Sequence, residues 1–223
     1  GQWDNSVLRT LQRRVRLWRA QFGAEREVYF AQEHPPGRQG ISDFTVADAL
    51  KVKIGGALFK HRLYQFALAH SGWRHVTVIE GGESFLALST GLQAALWALG
   101  GSPEEHRTDS LSAAFNNLEE QEELTRRYLD LCRHYGLRAT RCNPGQSNEN
   151  GSVEARHNSL KNALDQALRL RGTRIFDTCA DYEAFVGTIV QRMNARSAKL
   201  LAAERAMLTR LARPITTSGV RVS

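Results

Sequence analysis

The chain has 223 residues, of which 42% are hydrophobic and 24% charged, and its formal net charge at pH 7 is +7. This length exceeds that of most single domains and is sufficient for one large domain with extensions. The three cysteines show no paired spacing and no run of 18 apolar residues occurs, which argues against a disulfide framework, a cysteine zinc site and a membrane-spanning helix.

The charges are distributed unevenly along the chain. Basic and acidic residues number 7 and 4 in residues 1–38, 11 and 13 in residues 39–153, and 12 and 6 in residues 154–223. A slightly acidic centre between basic ends is typical of a protein that binds divalent cations with carboxylates and contacts phosphates through its flanks. A basic protein whose charges are only solvated has the same totals, so charge alone leaves both readings open.

The first predicted element is a basic amphipathic helix from Ser6 to Phe22. Its arginines, Arg13 and Arg16 among them, lie mostly opposite the apolar side and are candidate contacts to DNA phosphates, although an ordinary surface helix has the same pattern. Residues 1–37 are therefore predicted to be a basic helix and linker, the tail of an upstream DNA-binding region.

The core, predicted to span residues 38–205, alternates strands with helices. The first strand holds Asp43, and the stretch from Val52 to Leu58, which contains Gly55-Gly56, is predicted to be a hairpin connection. Two further strands follow, and three consecutive strands suggest an antiparallel meander. The predicted elements in chain order are strands near 40–47, 63–69 and 76–79, a helix at 83–99, a strand followed by Asp109, a helix at 118–135, a strand at 137–142, and helices at 151–170 and 179–194.

A polar, glycine-containing stretch from Pro144 leads into the helix predicted at 151–170. Residues spaced three, four and seven apart share one face of a helix, so this helix presents an acid, a polar group and a base together. The residues of this stripe are Glu154, His157, Asn158 and Lys161, with Arg156 beside them.

The run Pro-x-x-Ser-x-x-x-Gly-x-x-Glu that ends at Glu154 resembles the third catalytic segment of the DDE transposases and retroviral integrases. Asp43 and Asp109 supply the two preceding acids of that pattern, at intervals of 66 and 45 residues. Finer similarity is to the IstA-type insertion-sequence transposases, through four stretches beginning at His34, Gly81, Ala94 and His106. Ser110-Leu111 replaces the Asn-Gly pair that often follows the second Asp in retroviral relatives, which favours the transposase branch.

The resemblance implies an α/β, RNase H-like fold, with a five-stranded mixed sheet flanked by helices and a basic N-terminal helical extension. It implies that Asp43, Asp109 and Glu154 are the catalytic metal ligands for two Mg²⁺ or Mn²⁺ ions per site, with Asp43 bridging both. The reaction implied is phosphoryl transfer that cleaves transposon ends and joins the 3′-hydroxyl to target DNA. Arg156, His157, Asn158 and Lys161 are the expected DNA contacts on the helix.

The resemblance also implies partners: transposon-end and target DNA, further copies of the chain assembled on DNA, and an AAA+ helper ATPase. No membrane association is expected, and the implied location is the bacterial cytoplasm, on the nucleoid when bound to DNA. Residues 206–223 are expected to be a linker and the start of a C-terminal domain.

Two alternative functions remain: a metal-dependent nuclease without strand transfer, and an inactive DNA-binding or assembly module of the same fold. Glu149 is an alternative third ligand, since it lies five residues before Glu154 and is also near the start of the helix, where a carboxylate is favoured simply as a capping charge. Asp48 is better explained by a strand-pairing or surface contact, and the acidic run Glu119–Glu123 by a solvated helix with Arg126 and Arg127 complementing it.

Overall fold

The computed structural model describes residues 5–22, 34–108, 118–140 and 147–214, in two compact units that divide between Gln32 and Glu33. The first unit contains helix α1, Asn5–Phe22, which confirms the predicted basic helix. The side chain of Arg13 is exposed, whereas that of Arg16 lies outside the described side chains.

The second unit alternates strands and helices in the predicted order. Its strands are β1 Gln39–Val46, β2 Lys53–Ile54, β3 Ala57–Leu58, β4 His61–Leu68, β5 Arg74–Glu80, β6 Glu105–Thr108, β7 Arg138–Thr140 and β8 Ile175–Phe176. Its helices are α2 Phe85–Leu99, α3 Leu118–His134, α4 Ser147–Arg171, α5 Cys179–Ala195 and α6 Ala198–Arg205, with a single 3₁₀ turn at Asp48–Leu50.

Five strands form a mixed sheet in the order β5-β4-β1-β6-β7. Strand β1 pairs antiparallel with β4, and β4 antiparallel with β5, which confirms the predicted meander. On its other edge β1 pairs parallel with β6, and β6 parallel with β7, because helices cross over between these strands. The fold class predicted from sequence, a five-stranded mixed sheet flanked by helices, is confirmed.

The sheet separates two hydrophobic clusters, one on each face, because side chains alternate along its strands. Helices α2, α3 and α6 cover the first face, which contains Tyr64 and Phe66. Helices α4 and α5 cover the second face, where Leu63 belongs to the same cluster as Leu160 and Leu164 of α4. The catalytic helix predicted from sequence therefore packs on the second face.

Helix α2 begins two residues later than the sequence pattern predicts because Ser84 caps it. The Ser84 hydroxyl accepts a hydrogen bond from the amide of Ala87 at 3.1 Å. The helix ends at Gly100, which has a φ of 87°, a conformation that favours glycine. In the middle of α2, Gly91 lies against the ring of Tyr64 so closely that no side chain would fit there.

Three parts of the second unit extend beyond the predicted elements. Strands β2, β3 and β8 form a second, three-stranded sheet in the order β3-β2-β8, of which only the β2–β3 hairpin follows from the sequence. Helix α6 contains Glu204, whose buried carboxylate accepts hydrogen bonds from the amides of Gly37 and Ser71. Thr209 bridges to Ser102, so the first residues after position 205 pack on this unit.

The helices of the structure can be compared with the length and polarity that a membrane-spanning helix requires. Within the described ranges, each helix is too short or too polar to cross a bilayer.

Candidate active site

Asp43 lies in the middle of β1, the central strand of the five-stranded sheet. It pairs with Gln65 of β4, and two residues on, Thr45 pairs with Leu63. Directly paired residues and residues two apart share a face of a sheet. Because Leu63 contacts the cluster formed with α4, the half-buried carboxylate of Asp43 lies on the face that α4 covers.

The backbone around Asp43 holds its carboxylate close to the strand. Its Oδ1 accepts a hydrogen bond from the amide of Phe44 at 2.7 Å. On the neighbouring strand, Gln65 is only 5% exposed, and its Nε2 has no hydrogen-bond partner within the described part of the chain. A buried amide donor without a partner costs free energy.

A second described acid, Glu83, lies within electrostatic range of Asp43. Burial raises the pKa of Glu83, the nearby Arg62 opposes this rise, and the negative charge of Asp43 adds to it. The Arg62 Nε is 3.2 Å from Glu83 Oε1, which partly neutralises that carboxylate. Two carboxylates therefore lie close enough to interact at this site, and one of them is paired with Arg62.

Asp109 falls outside the described residues, but the strand before it is described. Strand β6 runs parallel to β1, with Thr108 paired to Ser42. Ser42 precedes Asp43 in the chain, and its partner Thr108 precedes Asp109. The two predicted ligands therefore each follow one member of a paired position by one residue.

Glu154 belongs to α4, which begins at Ser147, four residues before the predicted start. Glu149 consequently lies within the helix as well. The side chains of Glu149, Glu154, Arg156 and His157 are outside those described, so the choice between the two glutamates stays a prediction. Of the remaining predicted DNA contacts on α4, Asn158 is exposed and Lys161 is half-buried.

The two acids predicted to have structural roles behave differently from Asp43. Asp48 lies outside β1, exposed in the 3₁₀ turn, so its predicted place on the strand was wrong; its Oδ1 accepts a hydrogen bond from the amide of His61 at 3.3 Å, which is a surface contact to the start of β4. In the acidic run of α3, Glu123 forms an ion pair with Arg127 one turn later, which confirms the complementary charges at that pair.

A buried polar network missing from the sequence prediction links the strands that lead to Asp43 and Asp109. The hydroxyl of Ser42 is 2.9 Å from His106 Nε2, and the hydroxyl of Tyr128 on α3 is 2.8 Å from His106 Nδ1. His106 is fully buried and stacks on Phe66. The network fixes β1, β6 and α3 relative to one another, since breaking any one bond would leave a buried polar atom without a partner.

The burial of His106 predicts a loss of stability in acid. Burial lowers the pKa of His106 to about 3, from an ordinary value near 6.5. The unfolded chain therefore takes up a proton below pH 6.5 that the folded chain does not. This contribution is complete above that pH and decreases by about 1.4 kcal/mol per pH unit as the pH falls toward the folded value.

Urea unfolding across a pH series tests this expectation. His106→Gln should reduce the dependence of the unfolding free energy on pH between about pH 6 and 4, compared with the unmodified chain. His134→Gln, which changes an exposed histidine on α3, is the matched control and should leave the slope unchanged. An identical slope in the His106 variant would contradict the buried neutral imidazole.

The donor chemistry of the site suits a hard divalent cation. Asp43 offers carboxylate oxygens, the ligands that Mg²⁺ and Mn²⁺ prefer in proteins. Within the described side chains, no group of three histidine, cysteine, aspartate or glutamate residues is close enough to hold a metal. Asp109 and Glu154, the other two predicted ligands, are outside that set.

Comparison with other proteins identifies one sequence relative. No protein-family profile matches the chain. An uncharacterized protein of Sinorhizobium fredii (strain NBRC 101917 / NGR234), y4jA/y4nE/y4sE, is 53% identical over 201 residues. The match includes 89% of this chain but only 40% of the relative, so the chain spans less than half of that protein's length.

Two solved structures are similar in fold. A chain of the simian T-cell lymphotropic virus intasome, solved by cryo-EM in complex with PP2A regulatory subunit B56 gamma, superposes with a TM-score of 0.58 and 19% identity, over 86% of this chain and 63% of that chain. The catalytic core domain of BIV integrase superposes with a TM-score of 0.51 and 16% identity, over 76% and 97% of the respective chains. The chain thus has the RNase H-like fold of the retroviral integrase catalytic core.

Proposed function

We propose that the chain contains the catalytic domain of a DNA transposase of the DDE type. The observation that supports this most is the placement of Asp43 at the centre of the sheet, on the face that α4 covers. The parallel pairing of Ser42 with Thr108 and the position of Glu154 on α4 make a convergence of three acids at this face reasonable. The fold shared with integrase cores supports the same reading.

The proposed ligands are Asp43, Asp109 and Glu154, with Glu149 as the alternative to Glu154. Two Mg²⁺ or Mn²⁺ ions, when bound, would activate the attacking oxygen and stabilise the charge on the leaving oxygen. The three carboxylates would hold these cations, whose positive charge would attract the scissile phosphate, and clustering the carboxylates requires cations because like charges repel. Placement of Asp43 on β1, of Asp109 directly after β6 in the chain and of Glu154 on α4 would hold this geometry before substrate binds.

The reaction proposed is a transesterification. The 3′-hydroxyl of the transposon end would attack a target phosphodiester, forming a new phosphorus–oxygen bond while the bond to the target 3′-oxygen breaks. The hydroxyl proton is released and the departing 3′-oxygen takes up a proton, so the number of phosphodiester bonds is unchanged. Arg156, His157, Asn158 and Lys161 on α4 would contact the DNA, as would Arg13 and Arg16 on α1.

The proposed function also implies binding partners and a division of the chain into domains. Joining requires two DNA ends held together, so we expect several copies of the chain on DNA. An AAA+ ATPase would select the target DNA, and the chain would be in the bacterial cytoplasm, on the nucleoid when it is bound to DNA. Residues 38–205 would form the catalytic domain, with residues 1–37 continuing from a DNA-binding region and residues 206–223 leading to a C-terminal domain.

A joining assay separates the proposed function from its alternatives. A labelled, pre-cleaved transposon-end oligonucleotide and a supercoiled plasmid are incubated with the protein and Mg²⁺ or Mn²⁺. The proposal predicts that label becomes covalently attached to the plasmid. Nicked or degraded DNA without attached label would identify a nuclease, and DNA binding without any change in the DNA would identify an inactive module.

A further inference from the structure

A basic cleft lies away from Asp43, between the small sheet and the C-terminal end of α4. It has a volume of about 450 Å³, and its lining includes Lys51, Lys53, Arg169 and Arg174. The small sheet is formed by segments far apart in the chain, with Lys53 of β2 paired to Ile175 of β8. Four cationic side chains are thus brought together by the tertiary fold.

The positive charge of the cleft is only partly neutralised. Asp165 accepts hydrogen bonds from Arg174 at 2.6 Å and from Arg169 at 2.8 Å. The hydrogen bond from Arg174 holds the pKa of Asp165 below its ordinary value, with Arg169 adding to the effect. Lys51 and Lys53 are exposed, and neither forms an ion pair with a carboxylate of the described residues. Excess positive charge on an exposed surface attracts phosphates.

The backbone at Lys51 is unusual. Lys51 has a φ of 51°, and no other non-glycine residue in the described ranges has a positive φ. A side chain other than glycine in this conformation costs about 1 kcal/mol or more, and such residues concentrate at ligand sites. A lysine therefore occupies a position where glycine would be free of strain, at the edge of the cleft.

A polar track on α4 leads from the predicted catalytic end to the cleft. Asn158, Asn162, Gln166 and Arg169 are exposed and follow one another at helical spacing, within an arc of roughly 80°. From Glu154 to Arg169 the helix rises about 22 Å at 1.5 Å per residue, which corresponds to roughly six base pairs of duplex. Amide and guanidinium groups are the side chains that contact phosphate and sugar oxygens.

We propose that the cleft is a second DNA site, which binds the phosphodiester backbone of a duplex that runs along α4 from the catalytic end. The length and polarity of the track favour duplex DNA over a small anion, which would occupy the cleft alone. The choice of DNA rests on the proposed function, whereas the cleft itself depends only on the described geometry. The contacts are to the backbone, so this site binds without sequence preference.

The test is the salt dependence of DNA binding by the full chain. The double variant Lys51→Asn with Lys53→Gln removes two charges, and asparagine tolerates the backbone conformation at position 51. The matched control is Lys199→Gln with Arg205→Gln, which removes two exposed charges from α6, on the opposite face of the sheet. Binding to a labelled duplex of about 30 base pairs is measured by fluorescence anisotropy in EDTA, from about 50 to 200 mM salt.

The cleft variant should weaken binding on the order of tenfold at low salt and reduce the slope of log K against log salt by about 2. The control should bind as the unmodified chain does. An unchanged slope in the cleft variant, or an equal loss in the control, would overturn the proposal. Competition by inorganic phosphate beyond its ionic-strength effect would also overturn it, by identifying a small-anion site.

The joining assay tests the proposed function, and the salt dependence of DNA binding tests the cleft, so the two proposals can fail separately. If the unmodified chain joins DNA but the cleft variant binds with an unchanged slope, the cleft proposal fails and the transposase proposal stands. If the chain joins no DNA but the cleft variant alone loses affinity, the cleft is confirmed as a DNA site on a chain without that activity.

Discussion

Asp43→Asn is expected to reduce the rate of DNA joining on the order of 1,000-fold or more while DNA binding is retained. Metal ligation stabilises the transition state by several kcal/mol, and each 1.4 kcal/mol corresponds to a factor of ten in rate. Asparagine preserves the size of the side chain and one oxygen but removes the charge that a divalent cation requires. The joining rate in Mg²⁺ and in Mn²⁺ and the affinity for the transposon end are measured in parallel.

Asp48→Asn is the matched control, because it makes the same chemical change five residues away in the chain. The Asp48 carboxylate accepts a hydrogen bond from the amide of His61. Asparagine keeps an oxygen that can accept this bond, so joining should remain within about threefold of the original rate. Equal losses in both variants would indicate that a general effect of charge or folding, not metal ligation, explains the result at Asp43.

Leu164→Ala is expected to lower the free energy of unfolding by about 2 to 5 kcal/mol. Leu164 is 0% exposed in the cluster that attaches α4 to the sheet face of Asp43. Its truncation removes buried methyl groups and leaves a cavity that the neighbouring strands and helices fill only in part. Domains of this kind are stable by only about 5 to 15 kcal/mol, so the loss is a large fraction of the total.

The same substitution at Leu170 provides the control. Leu170 lies on the same helix but is 90% exposed, so Leu170→Ala should change the unfolding free energy by about 0.5 kcal/mol or less. Urea denaturation of the two variants at one pH gives the comparison. Similar losses in both would contradict the packing of α4 on the second face of the sheet.

The main sheet was predictable because its strands and helices have strong local signals. The meander of β1, β4 and β5 follows from β-branched and aromatic runs, and α5 begins at the predicted Cys179. The start of α4 was predicted four residues late, because four of its first five residues, Ser147, Asn148, Asn150 and Gly151, have low intrinsic helix propensity. The helix nevertheless continues through them.

The small sheet and α6 were not predictable from local pattern. Strand β8 has two residues, too few for a period, and it pairs with β2 more than a hundred positions earlier. Helix α6 spans eight residues in a basic segment, and its buried Glu204 depends on amides from two distant loops. Such pairings are decided by tertiary contacts that a local window does not contain.

The candidate site was likewise predictable from the sequence only in part. The Asp43 strand and the Glu154 helix were identified from the sequence, and the sheet register adds which face the Asp43 carboxylate occupies. The buried network was missed, because a histidine within a short strand gives no sign of burial until its partners are known. Ser42 and Tyr128 supply those partners from other elements.

One joining assay compares the three proposed metal ligands directly. Asp43→Asn, Asp109→Asn and Glu154→Gln are each incubated with pre-cleaved transposon end and plasmid, with DNA binding measured beside them and Glu149→Gln as the competing assignment. If Asp43, Asp109 and Glu154 hold the catalytic cations, the three ligand variants bind DNA but fail to join it, while Glu149→Gln joins normally. Normal joining by Asp43→Asn or Asp109→Asn, or by both glutamate variants, would contradict this assignment.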